Sequence, residues 1–567
     1  MNRVKITDLL ALGAIGGFFT GLIAALINIA SNQYWQYGMF RLAALSFQRQ
    51  INKWMFFCLL FGSLIYLVIR ITRLGPLRTK ILSQSIKLYY SKAAAVKKWA
   101  FGLVVFGIIF NLGIFIDGIV NAPQGPNVIL ISVDTLRADH LGCYGYNINT
   151  SPHIDEFARD SVLFRNAKSQ IHWTLPSHIS FLTSLYPSVF KSWTHSTSGR
   201  INDKYLLLAE IMRNFRYKTA AFTAGGWLTR EYGFDQGFDC FKGDIKSSNI
   251  ERVFNKYGID WIRKQKGKFF VFLHCYEPHA PYDPPRPFKE KFVLPSMPSE
   301  LTDYCSHIAD DHSEVSEKAL KWFWETEDKA SILNTIIGLY DGEIAAVDAG
   351  IERLFGEIKR SVIFDNSLII FLSDHGEAFL EHDLFGHHNL YEEILKVPLI
   401  IHLPKTMQQY NKRTINDLVG LVDVLPTILD ICGIPYPADR FQGISLINLI
   451  NGRGIYPRDF VFSENVFEKA AATARYKYRI SKYGQDNEKE SLYDLSSDPQ
   501  EKRDLLEENI IDVRLEKIYQ QLKVDIFRQL KKNAKLIRNR GYKVALKNEI
   551  HLSQDTREQL RALGYLQ

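Results

Sequence analysis

Cysteine is scarce in this chain: six residues among 567, Cys58, Cys143, Cys240, Cys275, Cys305 and Cys432, with none of the close pairs that bind zinc. A single disulfide stays open, whereas a disulfide framework is excluded. A basic field spread over the whole molecule is also missing. The formal charge is +8, but Arg73, Arg78, Lys80, Lys87, Lys92, Lys97 and Lys98 lie together with no acid among them. A chain that grips a phosphate backbone carries its basic excess across a folded surface, so this distribution argues against a nucleic-acid partner. Disorder is excluded as well, because 46% of the residues are hydrophobic and 13% aromatic.

Long apolar runs are present. Three of them, at about 6–30, 54–71 and 99–120, approach the ~20 residues that cross the hydrocarbon of a bilayer. The first exceeds a signal-peptide core and lacks a small-residue cleavage site, so it reads as an uncleaved anchor. Arg3 and Lys5 precede it, the 73–98 loop is strongly basic, and the 31–53 loop carries only Arg41, Arg49 and Lys53. Basic loops stay on the cytoplasmic side. Residues 1–121 are therefore expected to be a multi-pass anchor in the plasma (inner) membrane, in contact with its lipid. The amino terminus would then be cytoplasmic, and everything from about Ala122 periplasmic or extracellular.

Beyond the anchor, "NVILISVD" is an apolar run that ends in Asp134, and "SLIIFLSDHGE" repeats the form, ending in Asp374 and His375. Further strand candidates are "KTAAFTA", "KFFVFLHCY" and "KVPLIIHL", and the helical stretches 205–215 and 334–358 alternate with them. Continuous apolar runs between helices predict buried parallel strands in an α/β sheet. Ligands collect at the carboxyl ends of such strands, so the acids at two of these ends can meet at one site. In "IHWTLPSH", Thr174 lies just before Pro176 and a helix-like run, which fits an N-cap. The same hydroxyl would also suit a nucleophile, since a helix amino terminus favours an anion and a cation held by Asp134, Asp374 and His375 would lower its pKa.

The blocks "PNVILISVDTLRADHLGCYGY", "WTLPSHISFLTSLYP", "HCYEPHAPYDPP", "DNSLIIFLSDHGEAFLEHDLFGHHNLYEEILKVPLII" and "LYDLSSDPQEKRDL", in that order, resemble the sulfatase family of the alkaline phosphatase superfamily. The resemblance implies an α/β sulfatase-like sheet flanked by helices over 122–470. A small carboxy-terminal α+β subdomain with a basic amphipathic helix would follow over 471–567. It implies one divalent ion bound by Asp134, Thr174, Asp374 and His375, with Mn²⁺, Zn²⁺, Mg²⁺ or Ca²⁺ as candidates; the imidazole tilts the choice away from a purely hard-cation site. It implies further that His279 and His387 act on the transferred or leaving group, where an imidazole of pKa ~6.5 suits proton transfer. Arg137, His178 and His388 would contact substrate.

The departures narrow the chemistry. Sulfatases carry cysteine or serine at the head of C/S-x-P-x-R, the residue oxidised to formylglycine; this chain has Thr174 there, and His178 in place of the arginine. A threonine oxidises to a ketone, so the usual aldehyde hydrate cannot form. Among relatives, lipoteichoic acid synthases, phosphoethanolamine transferases and nucleotide pyrophosphatases use threonine on phosphorus esters. The resulting expectation is a membrane-anchored hydrolase or transferase that cleaves a phosphorus ester, of phosphodiester or phosphonate type, through Thr174. Its substrate would be a lipid headgroup or envelope glycan. The alternatives are hydrolysis of sulfuric esters and a catalytically silent binding module.

Overall fold

The structure, a computed structural model, describes residues 125–190, 200–243, 250–293, 305, 307, 314–453, 456–540 and 553–562. The chain divides into two compact units, 1–123 with 435–438, and 124–434 with 439–567. The three predicted membrane spans lie outside the described residues. Among the described residues no helix is long and apolar enough to cross a membrane, and the five cysteines there are free thiols.

The larger unit is built on an eight-stranded sheet. Its centre is β1 (Asn127–Val133), flanked by β5 (Phe269–Cys275) and β6 (Ser367–Ser373), both parallel to it. Every residue of these three strands is buried, which explains why their sequences are continuous rather than alternating. β3 (Lys218–Thr223) and β4 (Cys240–Lys242) extend the sheet on one side. β9 (Lys396–His402), β2 (Val162–Lys168) and β10 (Arg413–Gly420) extend it on the other.

The sheet is mixed, which corrects the expectation of parallel strands throughout: β9 runs antiparallel to both β6 and β2. The chain leaves β6 at its carboxyl end, makes an excursion over 374–395, and enters β9 at the same end of the sheet. That excursion includes the short hairpin of β7 (Ala378–Phe379) and β8 (Phe385–Gly386), so its side chains are held over the carboxyl ends of β1 and β6.

Helix α1 (Pro152–Arg159) precedes β2, and α2 (Thr174–Thr183) follows it with all ten residues buried. A helix apolar or buried all round belongs in the interior. The 31-residue α3 (Lys329–Lys359) packs against α1, and α4 (Val424–Ile431) contacts α2.

A second, antiparallel sheet follows, in the order β11 (Val461–Glu464), β12 (Lys469–Ala472), β13 (Tyr476–Ser481), β14 (Lys489–Asp494). Its first two strands begin ahead of residue 471, the boundary expected from sequence, because "VFSE" and "KAAA" are too short to show a strand period. The predicted amphipathic helix is α5 (Val513–Arg540), whose Leu522 and Ile526 join Phe462, Tyr478 and Leu492 in one core. Buried charges link the two sheets: Lys168 of β2 pairs with Glu392, which lies 3.3 Å from Lys477 of β13, and Lys477 also meets Glu501 at 2.9 Å.

Candidate active site

The site grows from adjacent strand ends. Asp134 follows β1, and its N–H donates to the Cys275 carbonyl at the end of β5 (3.1 Å). Asp374 and His375 follow β6, whose Ser373 hydroxyl donates to the His375 carbonyl (2.7 Å) and accepts from the Leu136 N–H (3.0 Å). Ser177 of α2 donates to the Asp374 carbonyl (2.8 Å). Thus the loops after β1 and β6 and the start of α2 are tied together before any ligand is considered.

Donor atoms of Asp134, Asp374 and His375 all lie within 4.8 Å of one another, and all three residues are fully buried. The Thr174 hydroxyl donates to Asp134 Oδ2 (3.2 Å) and lies 3.4 Å from His375 Nε2. Thr174 is therefore not the cap that its local sequence suggested. It is the first residue of α2, the N-cap position is Trp173, and no side chain caps the helix.

The donor set fits a divalent cation. Asp134 Oδ1 and Asp374 Oδ2 are buried without a hydrogen-bond partner. Burial raises both carboxyls, and the Asp134 charge helps to push Asp374 up to about 7. Two such carboxylates ionise together at neutral pH when a cation lies between them. Burial lowers His375 to about 4. Its Nδ1–H donates to the Gly376 carbonyl (3.0 Å), which leaves the lone pair on Nε2, the atom facing both aspartates at 3.8 and 3.5 Å.

His279 and His387 stand together, with ring centroids 5.2 Å apart, and His387 lies 4.5 Å from the His375 ring. His279 Nδ1 donates to the Ala280 carbonyl (2.5 Å), and His387 Nδ1 to Glu377 Oε1 (3.0 Å). Burial, aided by the neighbouring histidines, holds His387 well below the ordinary imidazole range. Sequence reasoning assigned no role to Glu377, although it belongs to the quoted "SDHGE". It also passed over His172, which donates through Nδ1 to the His387 carbonyl (2.6 Å) and is lowered to about 3 by burial and by His388. The only local signal for His172 was its place two residues ahead of Thr174.

The three expected substrate contacts take different positions. His178 is fully buried one turn below Thr174: its Nδ1 donates to the Thr174 carbonyl (2.8 Å) and its Nε2 accepts from the Ser132 hydroxyl (3.0 Å). Both nitrogens are engaged inside the protein, which leaves none to touch a substrate. The Arg137 guanidinium is bound by Asp139, Glu381 and the Glu377 carbonyl and lies over Phe379, so it braces the turn that carries Glu377. His388 is exposed beside His387 and lines a cavity of about 640 Å³ together with Tyr391, Phe467, Arg479 and Tyr493.

The sequence model of the sulfatase family matches residues 126–434, and that of the N-sulphoglucosamine sulphohydrolase carboxy-terminal region matches 380–532. An arylsulfatase of Clostridium perfringens is 23% identical over 458 residues, which cover 67% of this chain and 90% of that protein. The N-acetylglucosamine-6-O-sulfatase of Bacteroides thetaiotaomicron is 22% identical over 461 residues, 66% of this chain and 82% of its own length. In fold, the chain is similar to the phosphonate monoester hydrolase of Agrobacterium radiobacter. There the TM-score is 0.59 at 19% identity, with coverage of 72% of this chain and 96% of that one. It is equally similar to a protein whose structure is solved in complex with its substrate D-glucosamine-2-N,6-O-disulfate. The TM-score is again 0.59, at 20% identity, with coverage of 73% and 99%.

Proposed function

Because the chain belongs to the sulfatase family, we propose that this family hydrolase is a membrane-anchored, metal-dependent enzyme that cleaves a phosphorus ester through Thr174. The observation that carries the reading is the Thr174 hydroxyl, 3.2 Å from Asp134 and 3.4 Å from His375 at the head of a buried helix. A divalent ion on Asp134, Thr174, Asp374 and His375 supplies Lewis-acid activation of that hydroxyl and charge stabilisation at phosphorus.

The chain's own groups do the rest. Thr174 Oγ1 attacks phosphorus in line, its proton directed at Asp134 Oδ2, and the bond to the leaving oxygen breaks. A proton taken up from solvent at His387 Nε2, on a ring whose Nδ1–H is held by Glu377, passes to the departing alkoxide, with His279 beside it. Burial holds His387 low, so a proton placed on it is readily released. Water or an acceptor hydroxyl then gives a proton to His387 Nε2 and displaces the phosphoryl group from Thr174, whose oxygen takes back the proton held by Asp134. A sulfated threonine has no second hydroxyl with which to expel sulfate, which favours phosphorus. The leaving group, a lipid headgroup or glycan, would lie in the cavity beside His388. The anchor would place this site in the periplasm or outside the cell.

A second reading, hydrolysis of sulfuric esters, is favoured by the similarity to the Clostridium and Bacteroides sulfatases. Intact-mass spectrometry of the full chain in detergent, loaded with Mn²⁺ or Zn²⁺, separates the two. Aryl phosphodiester, phosphonate and sulfate probes would be run beside a Thr174→Ala variant. A phosphoryl adduct on Thr174, absent from the variant, is expected. Sulfate release without turnover of either phosphorus ester would overturn the reading.

A further inference from the structure

Helix α5 is basic and packs by one face, and neither property enters the chemistry above. Leu522 and Ile526 are buried in the core of the second sheet, and Gln529 and Asn533 are buried further along the same side. That side meets β12, β13 and the helical turn Pro187–Phe190. With 3.6 residues per turn, the side directly opposite carries Lys517, Val524, Phe527, Lys531, Lys535 and Arg538. All six are exposed, Val524 at 49% and Phe527 at 48%.

This outward side departs from an ordinary solvated helix face in two ways. A face kept in water mixes both signs of charge, but Ile526–Arg540 contains six Lys or Arg and no Asp or Glu. The acids close to the helix are engaged by other cations: Asp525 by Arg528, Glu490 by Lys523 and Asp439 by Arg540. Among the described residues, Lys517, Lys531, Lys535 and Arg538 pair with none. The second departure is the pair Val524 and Phe527, set in water between these cations although the core already takes the apolar side of the helix.

Whatever covers this face must accept apolar side chains and supply negative charge along about 32 Å, the length from Lys517 to Arg538 at 1.5 Å per residue. An anionic bilayer surface does both, since its headgroups meet the cations and its acyl boundary takes the apolar side chains. Lysine stems lie along that boundary with the ammonium groups at the headgroups. A dissolved polyanion matches the charge but offers no apolar medium for Val524 and Phe527. The apolar runs at about 6–30, 54–71 and 99–120 of the same chain bring a bilayer within reach.

We infer that the outward face of α5 docks on the anionic surface of a lipid bilayer. Val524 and Phe527 enter the interface, and Lys517, Lys531, Lys535 and Arg538 meet the headgroups. The inference rests on the membrane-anchored reading for the nearness of the bilayer, and not on the Thr174 chemistry. Docking holds the catalytic unit at the surface that carries a lipid or envelope substrate.

The test is amine labelling of the full chain, reconstituted in vesicles of phosphatidylcholine alone or of phosphatidylcholine with phosphatidylglycerol. A water-soluble reagent is used, and each lysine is read by peptide mass spectrometry. Lys517, Lys531 and Lys535 are expected to react at least about 5-fold more slowly on the anionic vesicles. Lys264 and Lys405, exposed outside this helix, should react equally on both. High salt should abolish the difference, and Lys531→Glu combined with Lys535→Glu should abolish it at Lys517. Equal rates on the two vesicles overturn the inference, as does an equal slowing by heparin on neutral vesicles. The wild-type rates decide the matter even if the double variant fails to fold. A chain that does not float with neutral vesicles in high salt overturns the anchor alone; α5 is then read with anionic vesicles added, and the same slowing is expected.

Discussion

Single side chains set the chemistry, and the clearest case is Glu377 beneath His387 (3.0 Å). Without that carboxylate the His387 ring loses its orientation. Glu377→Ala should therefore lower kcat about 10–100-fold, with the largest loss for poor leaving groups and little change in KM. A series of aryl esters with leaving groups of graded pKa checks this; an equal loss for every ester would assign Glu377 to folding instead. His178 predicts the opposite kind of effect. Its removal leaves the Ser132 hydroxyl and Thr174 carbonyl unpaired in the interior, so His178→Ala should cost about 2–4 kcal/mol of stability, read from denaturant unfolding. Sequence placed His178 one turn from Thr174 and so near the site. Whether its ring faced substrate or protein depended on Ser132, 46 residues away.

At the scale of elements, α3 meets the loop after β5 through two buried acids. Glu277 accepts from the Ile250 N–H (3.1 Å), and Glu343 of α3 accepts from the Asp283 N–H (2.9 Å). Burial raises each to about 8, and the Glu277 charge contributes to the rise of Glu343. Both carboxyls thus hold protons in the fold that the unfolded chain releases from about pH 4.5. Between about pH 4.5 and pH 8 the unfolded state binds fewer protons, so this contribution to stability is full at low pH and is lost as pH rises through about 8. Glu343→Gln should flatten that decline and raise stability at pH 8 on the order of 2 kcal/mol, as thermal unfolding across the pH range would show. The strands carrying this loop were legible as apolar runs. β2 and β10 were not, since "VLFRNAK" and "RTINDLVG" have exposed polar positions and no clean period.

For the whole molecule, the buried charges Lys168, Glu392, Lys477 and Glu501 decide how the second sheet is held against the first. Lys477→Met would leave two buried carboxylates facing each other. It should cost about 3–5 kcal/mol, seen as a lower midpoint of thermal unfolding. Saturating divalent ion should raise that midpoint, and a chelator should reverse the gain. These charges belong to four separate segments, and nothing local marks them as partners. What the sequence determined by itself was local in origin. Uninterrupted apolar runs made β1, β5 and β6, their ends delivered Asp134, Asp374 and His375, and five ordered blocks identified the family. Only the tertiary structure decided the direction of β9 and the engagement of Arg137 and His178. These depend on side chains meeting across strands and helices far apart in the chain, and periodicity along one segment carries no information about such meetings.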